Sequence, residues 1–445
     1  MHLQLKRLLV ISLLFLVIIS AVNSQSQAAS PKVKLTYWWW AEGDAPGADK
    51  WMLETAKLYN KLHPNVTIEV VPQSTDTFIA SFQTAAQAKS GPDIACQWAT
   101  IPVLSQAWAG AIVPISDYIP KTELKHWLNL DENLYGGKIW GGSLYMIGVP
   151  LVYNKALFKK AGLNPEKPPI TWDEFLDYCA KLKKAGIIPI GGGTKGDSNL
   201  GPWMFSVLNM QYLDSPNDIL KLLTGEADFS NPKYGDWYNK FYELCNKGYY
   251  NDDIASLDWG QGVDLFSRGK VAFEWATDGN ILQYAKDIGP ENIGLTRTPT
   301  IANAKGKLKN CYNTTQSTSQ MITSWCKDKK VAANFLMFMH SPERMNAWYL
   351  QTMTIPADDR FNQKLITDPI MKHIYALNTS SKNVWMENYI PTQLDTNGYR
   401  PAGQIITSGS GKPADVYEIL ERTLKLWRMG KPDELARFKG WLGRD

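Results

Sequence analysis

The sequence of 445 residues predicts an α/β fold, on three observations. Strand and helix signals alternate through the first third in the order β-α-β-α-β, which implies a parallel sheet with right-handed crossovers. The composition, 44% hydrophobic and 20% charged, is that of an ordinary globular protein. The length suits two or three domains, or two large lobes that each bury a core.

The elements follow in order. Residues 1–28 are expected to be a leader rather than part of the fold. Lys6 and Arg7 precede a 15-residue apolar run (8–22) and the small polar stretch NSQSQAAS, the layout of a secretory signal peptide. The run is shorter than the roughly 20 apolar residues a membrane span needs. Cleavage is expected after Ser24 or Ala28, and no cysteine in the region could carry an acyl chain. Loss of Lys6 and Arg7 leaves 45 basic against 43 acidic residues. No basic stripe points to nucleic acid and no acidic tail to a disordered partner.

Residues 33–40 form the first expected strand, within LTYWWWAEG. Side chains alternate along a strand, so Val33, Leu35, Tyr37 and Trp39 share one face, and Trp38 and Trp40 the other. One set of rings can be core; the other needs a second reason. A helix over 49–62 stops at Pro64, Val66, Ile68 and Val70 alternate as a second strand, and a second helix over 76–89 has Asp76 placed as N-cap. A third strand begins at Asp93. In open parallel sheets, ligands bind beyond the carboxyl ends of the strands. Trp40, Glu42 and Asp44 follow the first strand, Ser74 and Asp76 the second, and Gln97 and Trp98 the third, so all stand at one rim. The middle, about 151–299, is helix-rich, and Thr171 with Glu174 forms a capping box. GGGTKG (191–196) fits a dinucleotide fingerprint only formally, because no strand-helix unit with a distal acid surrounds it. GSGK (409–412) lacks the first glycine of a phosphate loop and runs into Pro413. The five cysteines are widely spaced and the histidines scattered, so neither a disulfide framework nor a metal site is indicated. No cofactor is expected.

Several segments together resemble the family 1 extracellular solute-binding proteins of ABC sugar importers, the maltodextrin-binding type. They are GPDI (91–94), WAGAIVPISDYI (108–119), GVPLVYNKALFKKAGL (148–163), PPITWDEF (168–175), LFSRGKVAF (265–273) and KKVAANFLMFMHSPE (329–343). The resemblance implies a two-lobed, type II-like periplasmic-binding-protein fold whose lobes are joined by crossover hinge strands. Its N-terminal lobe would be 31–148 plus 318–350, and its C-terminal lobe 149–317 plus 351–445. Crossings are expected at 147–154, 312–318 and 350–356. The resemblance also implies a monomer that delivers an oligosaccharide to the membrane permease subunits of an ABC importer, and the absence of a lipobox cysteine points to a periplasm. The family places a Gly-x-Trp after the GKxA strand. Here Trp275 precedes Asp278-Gly279-Asn280, so that ring is displaced.

A pyranose offers flat apolar C–H faces and a rim of hydroxyls, which tryptophan plates and carboxylates or amides match respectively. Such pairs occur at Trp40/Glu42, Gln97/Trp98, Asp258/Trp259, Trp275/Asp278 and Trp385/Glu387. Trp203, at a loop-to-helix junction, and Arg400, in NGYRPAG, join Asp44 and Asp76 in the expected ligand set, and the resemblance adds Tyr417, early in the last long helix, where the family often presents an aromatic to its ligand. Trp51, Trp172, Trp237, Trp325 and Trp348 lie in helical patterns and read as core. The competing readings are an exported glycoside hydrolase, with Glu42, Glu274 and Asp278 as available carboxyls, and a binding protein for a polyol, phosphate ester or cation. Phosphate would call for Arg or Lys near Gln97 and Trp203, where neutral and acidic residues predominate. No catalytic residue is assigned, and a non-enzymatic receptor for a neutral sugar is the expectation.

Overall fold

The computed structural model describes residues 32–73, 75–196, 200–379 and 384–443; the expected leader lies outside them. The first strand, Val33–Trp39, puts Leu35, Tyr37 and Trp39 at 0% exposure while Trp38 stays half-buried. It pairs in parallel with Val66–Pro72 on one side and Ile94–Trp98 on the other. A late strand, Thr318–Thr323, runs antiparallel to Ile94–Trp98 and carries Ile112–Val113 and Gly142–Ser143 at its far edge. The aspartate of GPDI holds these strands in register. Asp93 is buried, and its carboxylate accepts the backbone N–H groups of Thr36 and Lys327, both at 2.9 Å. Its own N–H donates to the Thr36 carbonyl at 2.8 Å.

A second sheet has the order Ile188–Ile190, Val271–Trp275, Leu151–Asn154, Ile293–Thr296. Leu151–Asn154 runs antiparallel to both of its neighbours. One hydrophobic core packs around the first sheet and two flank the second, so each sheet has an interior of its own. The helix Trp172–Lys184 starts at the expected capping box, Thr171 with Glu174, and ends in Lys181, Lys183 and Lys184, where cations complement the carbonyl end of the helix dipole. Residues 191–196 form a loop, as expected, although it directly follows the strand Ile188–Ile190. All five cysteines are free, and no helix among the described residues is long and apolar enough to cross a membrane.

The two sheets are joined by a narrow waist. Met146–Gly148 carries the chain from the first towards the second and pairs antiparallel with the returning strand Thr314–Gln316. A third segment runs alongside: Met146 N–H donates to the Ile355 carbonyl at 2.9 Å, Ala357 N–H to the Leu144 carbonyl at 2.8 Å, and Tyr145 bridges Pro356. Two lobes joined by crossover strands are therefore the architecture. Gly148 is required at the waist, because a Cβ there would lie 2.5 Å from the Tyr312 ring. Replacing Gly148 with Ala forces that ring or the strand to move, at an expected cost of about 1–3 kcal/mol, read as a lower urea midpoint with an unchanged m-value.

Candidate functional site

Three groups of side chains bring expected site residues together. The first sits at the carboxyl rim of the first sheet. Trp40 lies edge-on to Trp98, with ring centroids 4.8 Å apart, and its indole N–H donates to the Cys96 carbonyl at 3.1 Å. Trp40 is only 3% exposed, whereas Trp98 is half-buried. Gln97 is buried and its Oε1 accepts the Trp98 N–H at 2.9 Å. Just beyond, Thr100 has φ 69° and ψ −120° at the start of the helix Ile101–Trp108, a backbone region that favours glycine, and such strain concentrates at functional sites. Asn133 Oδ1 holds its N–H at 2.8 Å.

The second group is on the other lobe. Trp203, in the short helix Leu200–Met204, lies 4.6 Å from Trp259 and 5.9 Å from Trp385, edge-on to both. Trp259 opens a helix, Trp259–Ser267, whose N-cap is Asp258. Trp203 and Trp385 are buried and Trp259 is half-buried. The Trp385 indole N–H donates to Glu387 Oε2 at 2.8 Å, and the Glu387 N–H donates to Ser206 Oγ at 2.8 Å. Arg400 Nε donates to Asp395 Oδ2 at 3.0 Å, and its Nη2 lies 3.7 Å from Glu387 Oε1.

The third group is at the waist itself. Asp44 accepts from Ser317 Oγ at 3.1 Å and lies 3.5 Å from the Tyr145 hydroxyl. Desolvation pushes its carboxyl up from 3.8 to about 6, and those two hydrogen bonds partly offset the rise. Its backbone carbonyl abuts the other lobe, since a Cβ on Gly279 would fall 2.3 Å from that oxygen. Asp278, buried at the head of the helix Asp278–Ile288, accepts the Gly148 N–H at 2.9 Å and the Asn378 amide at 2.7 Å, with the Tyr312 hydroxyl 3.3 Å away. Burial pushes this carboxyl further, to about 7, against the pull of the same three donors. A polar bridge also spans the lobes: Asn388 Nδ2 lies 3.5 Å from Thr315 Oγ1, which donates to Glu132 Oε2 at 2.5 Å.

Other expected site residues stand elsewhere. Glu42 accepts the N–H groups of Gly47 and Asp49 at 2.8 and 2.9 Å, so it caps the helix Ala48–Leu62. Trp275 pairs with Leu151 inside the second sheet, is 1% exposed and donates its indole N–H to Thr298 Oγ1; strand alternation turns it into the core beside Phe175. Tyr417 lines a hollow of about 210 Å³ with Tyr238 and Asn239, a surface that none of the three groups shares. Asp76 falls in the helix Thr75–Ala88, and its side chain, like Ser74, lies outside the described residues. Sequence reasoning missed Glu132, Ser317 and Asn388, whose partners are distant in the chain, and Asp395, which lies five residues before Arg400. Among the described residues, no three His, Cys, Asp or Glu side chains gather as a metal site.

Space between the lobes is also present. A groove of about 880 Å³ runs between Gln83, Gln106 and Trp108 on one side and Thr392, Thr396 and Arg437 on the other. Trp108 meets the C-terminal helix at its end, 5.4 Å from Phe438.

Residues 43–345 match the profile of the bacterial extracellular solute-binding protein family. The sn-glycerol-3-phosphate-binding periplasmic protein UgpB of Salmonella paratyphi A is 32% identical over 210 residues, 46% of either chain. Its namesake from Pectobacterium atrosepticum is 26% identical over 352 residues, 74% of either chain. The chain spans about half the length of the first of these curated relatives. Among solved structures, a chitin oligosaccharide binding protein superposes with a TM-score of 0.78 at 20% identity, covering 89% of this chain and 98% of the other.

The two raised carboxyls have a consequence for stability. A carboxyl whose folded value lies above its ordinary one binds its proton more tightly in the native state, so stability falls as pH rises through that interval. The contribution of Asp278 is complete below 3.8 and gone above about 7, and that of Asp44 is gone above about 6. His340, which is buried, and His373 are both held below the ordinary imidazole range by desolvation and act in the opposite sense. The check is therefore a difference: in urea unfolding, the stability of Asp278→Asn relative to the parent is expected to rise with pH up to about 7.

Proposed function

The chain belongs to the bacterial extracellular solute-binding protein family, and on that premise we propose that it is a periplasmic receptor for an oligosaccharide. In this reading it acts as a monomer and hands its ligand to the permease subunits of an ABC importer. The observation that carries the proposal is the pairing of two tryptophan walls, Trp40 with Trp98 and Trp203 with Trp259 and Trp385, one on each side of a three-stranded waist. In each wall a buried ring backs a half-buried one: Trp40 behind Trp98, and Trp203 behind Trp259. The half-buried rings supply flat plates for sugar C–H faces, and the buried ones fix their orientation without a conformational cost at binding. Carboxylates and amides beside them can take up hydroxyls through charge-assisted bonds worth about 1.5–3 kcal/mol each. The lobes are taken as 31–148 plus 318–350 and 149–317 plus 351–445, and a ligand that touches both favours the closed form by its differential affinity.

The hydrolase alternative finds its carboxyls engaged. Glu42 caps a helix, and Asp278 ties the crossing strands. Glu274 is buried in the second sheet, accepting from the Tyr284 hydroxyl at 2.9 Å, with its carboxyl held well above the ordinary range by desolvation. Each of the three is committed to a structural contact, which favours the receptor over the hydrolase. The relatives' names nominate sn-glycerol 3-phosphate and that of the structural neighbour a chitin oligosaccharide; the ring walls favour the saccharide.

Tryptophan fluorescence titrated with a panel of neutral oligosaccharides is expected to saturate at micromolar levels for one or a few of them. Chromatography after prolonged incubation should recover that sugar intact; steady hydrolysis would favour the enzyme. Trp98→Ala and Trp259→Ala are expected to cost about 2 kcal/mol or more of affinity while leaving thermal unfolding close to that of the parent. Trp40→Ala, by contrast, is expected to lower stability by about 3–5 kcal/mol.

A further inference from the structure

We propose that Glu387 and Asp395 make the C-terminal wall reject anions, so that the receptor takes neutral saccharides and refuses phosphate esters. This rests on the receptor reading above and adds the residues that discriminate between solutes. Arg400 is a cation beside the ring wall among the described residues. Its Nε donates to Asp395 Oδ2 at 3.0 Å and its Nη2 lies 3.7 Å from Glu387 Oε1, with side-chain exposures of 14–15% for all three groups. Glu387 is fixed from two further directions, by the Trp385 indole N–H at 2.8 Å and by its own N–H on Ser206 Oγ.

A guanidinium presented alone in a ring-lined cleft would suit phosphate, because its planar fork matches two phosphate oxygens. Here the fork addresses two carboxylates. A phosphate reaching the same nitrogens would lie against both negative charges in a partly dehydrated wall, where like charges repel more strongly than in water. A sugar hydroxyl meets no such repulsion, since one O–H can donate to a carboxylate while its lone pairs accept from the guanidinium. The two acids meet the cation through its Nε and Nη2 nitrogens.

Calorimetry of the full chain with sn-glycerol 3-phosphate and with inorganic phosphate, run beside the neutral oligosaccharide panel, tests this. The unsubstituted protein is expected to give no saturable heat with either anion while binding a saccharide. The double variant Glu387→Gln, Asp395→Asn is expected to bind sn-glycerol 3-phosphate at least about tenfold more tightly than the parent, and to lose that gain as salt is added. Glu387→Gln alone keeps a carbonyl oxygen for the Trp385 indole and should move in the same direction, which preserves the test if the double variant fails to fold. Saturable binding of sn-glycerol 3-phosphate by the unsubstituted protein would overturn the proposal and leave the receptor reading standing. Folded variants with no gain in anion binding would do the same. Refusal of every saccharide and of both anions by the unsubstituted protein would overturn both readings together.

Discussion

The antiparallel ladder of Met146–Gly148 and Thr314–Gln316 is the constraint on which the rest of the structure depends. With the segment through Ile355 to Ala357, it is where the chain passes between the two sheets. Asp278 anchors the end nearer the second sheet, by accepting from Gly148 in one strand and, through Asn378, joining a network that includes Thr314 in the other. Asp44 and Ser317 tie the other end to the rim of the first sheet. Both acids are held largely out of water, which is costly for a carboxylate unless it is hydrogen-bonded, and each has such partners. The cost is visible in their raised proton affinities.

Given that waist, the placement of the aromatic residues follows from strand and helix geometry. The first strand turns Leu35, Tyr37 and Trp39 into its core, so the chain leaves the sheet with Trp40 at the rim beside Trp98. On the facing lobe, the rings come from three separate segments and meet edge-on, an arrangement aromatic quadrupoles favour. A large ring buried in such a cluster contributes stability through the area it removes from water, about 1.5–3 kcal/mol for a fully buried large side chain. The half-exposed ring in each wall gives up part of that and leaves a surface for a ligand. In the proposed receptor, one set of residues in each wall would serve folding and the other recognition.

Much of this was legible in the sequence, and the limits have physical causes. Period-two alternation identified the core face of the first strand, the carboxyl-edge rule brought Trp40, Asp44, Gln97 and Trp98 to one rim, and Thr171 with Glu174 marked a helix start. These are local signals. Trp275 was read towards the cleft through its proximity to Asp278, yet the run VAFEW is buried at every position, as a strand paired on both sides requires. Glu42 looked like half of a ring-and-acid pair, but a carboxylate five residues before an uncapped helix start finds backbone N–H groups first. Tyr417 came from resemblance alone and sits over a different surface. The bridge from Asn388 through Thr315 to Glu132 joins residues far apart in the chain, and the pairing of Glu387 with Arg400 crosses a turn of the chain; no periodicity encodes such contacts.

The central claim is that the two ring walls close on a solute by bending at the waist. Small-angle X-ray scattering of the protein, without ligand and then saturated with a saccharide it binds, tests this most directly. The account predicts a smaller radius of gyration and a shorter maximum dimension in the complex, reversed when the sugar is removed. A saturated complex whose scattering curve superposes on that of the free protein would contradict it.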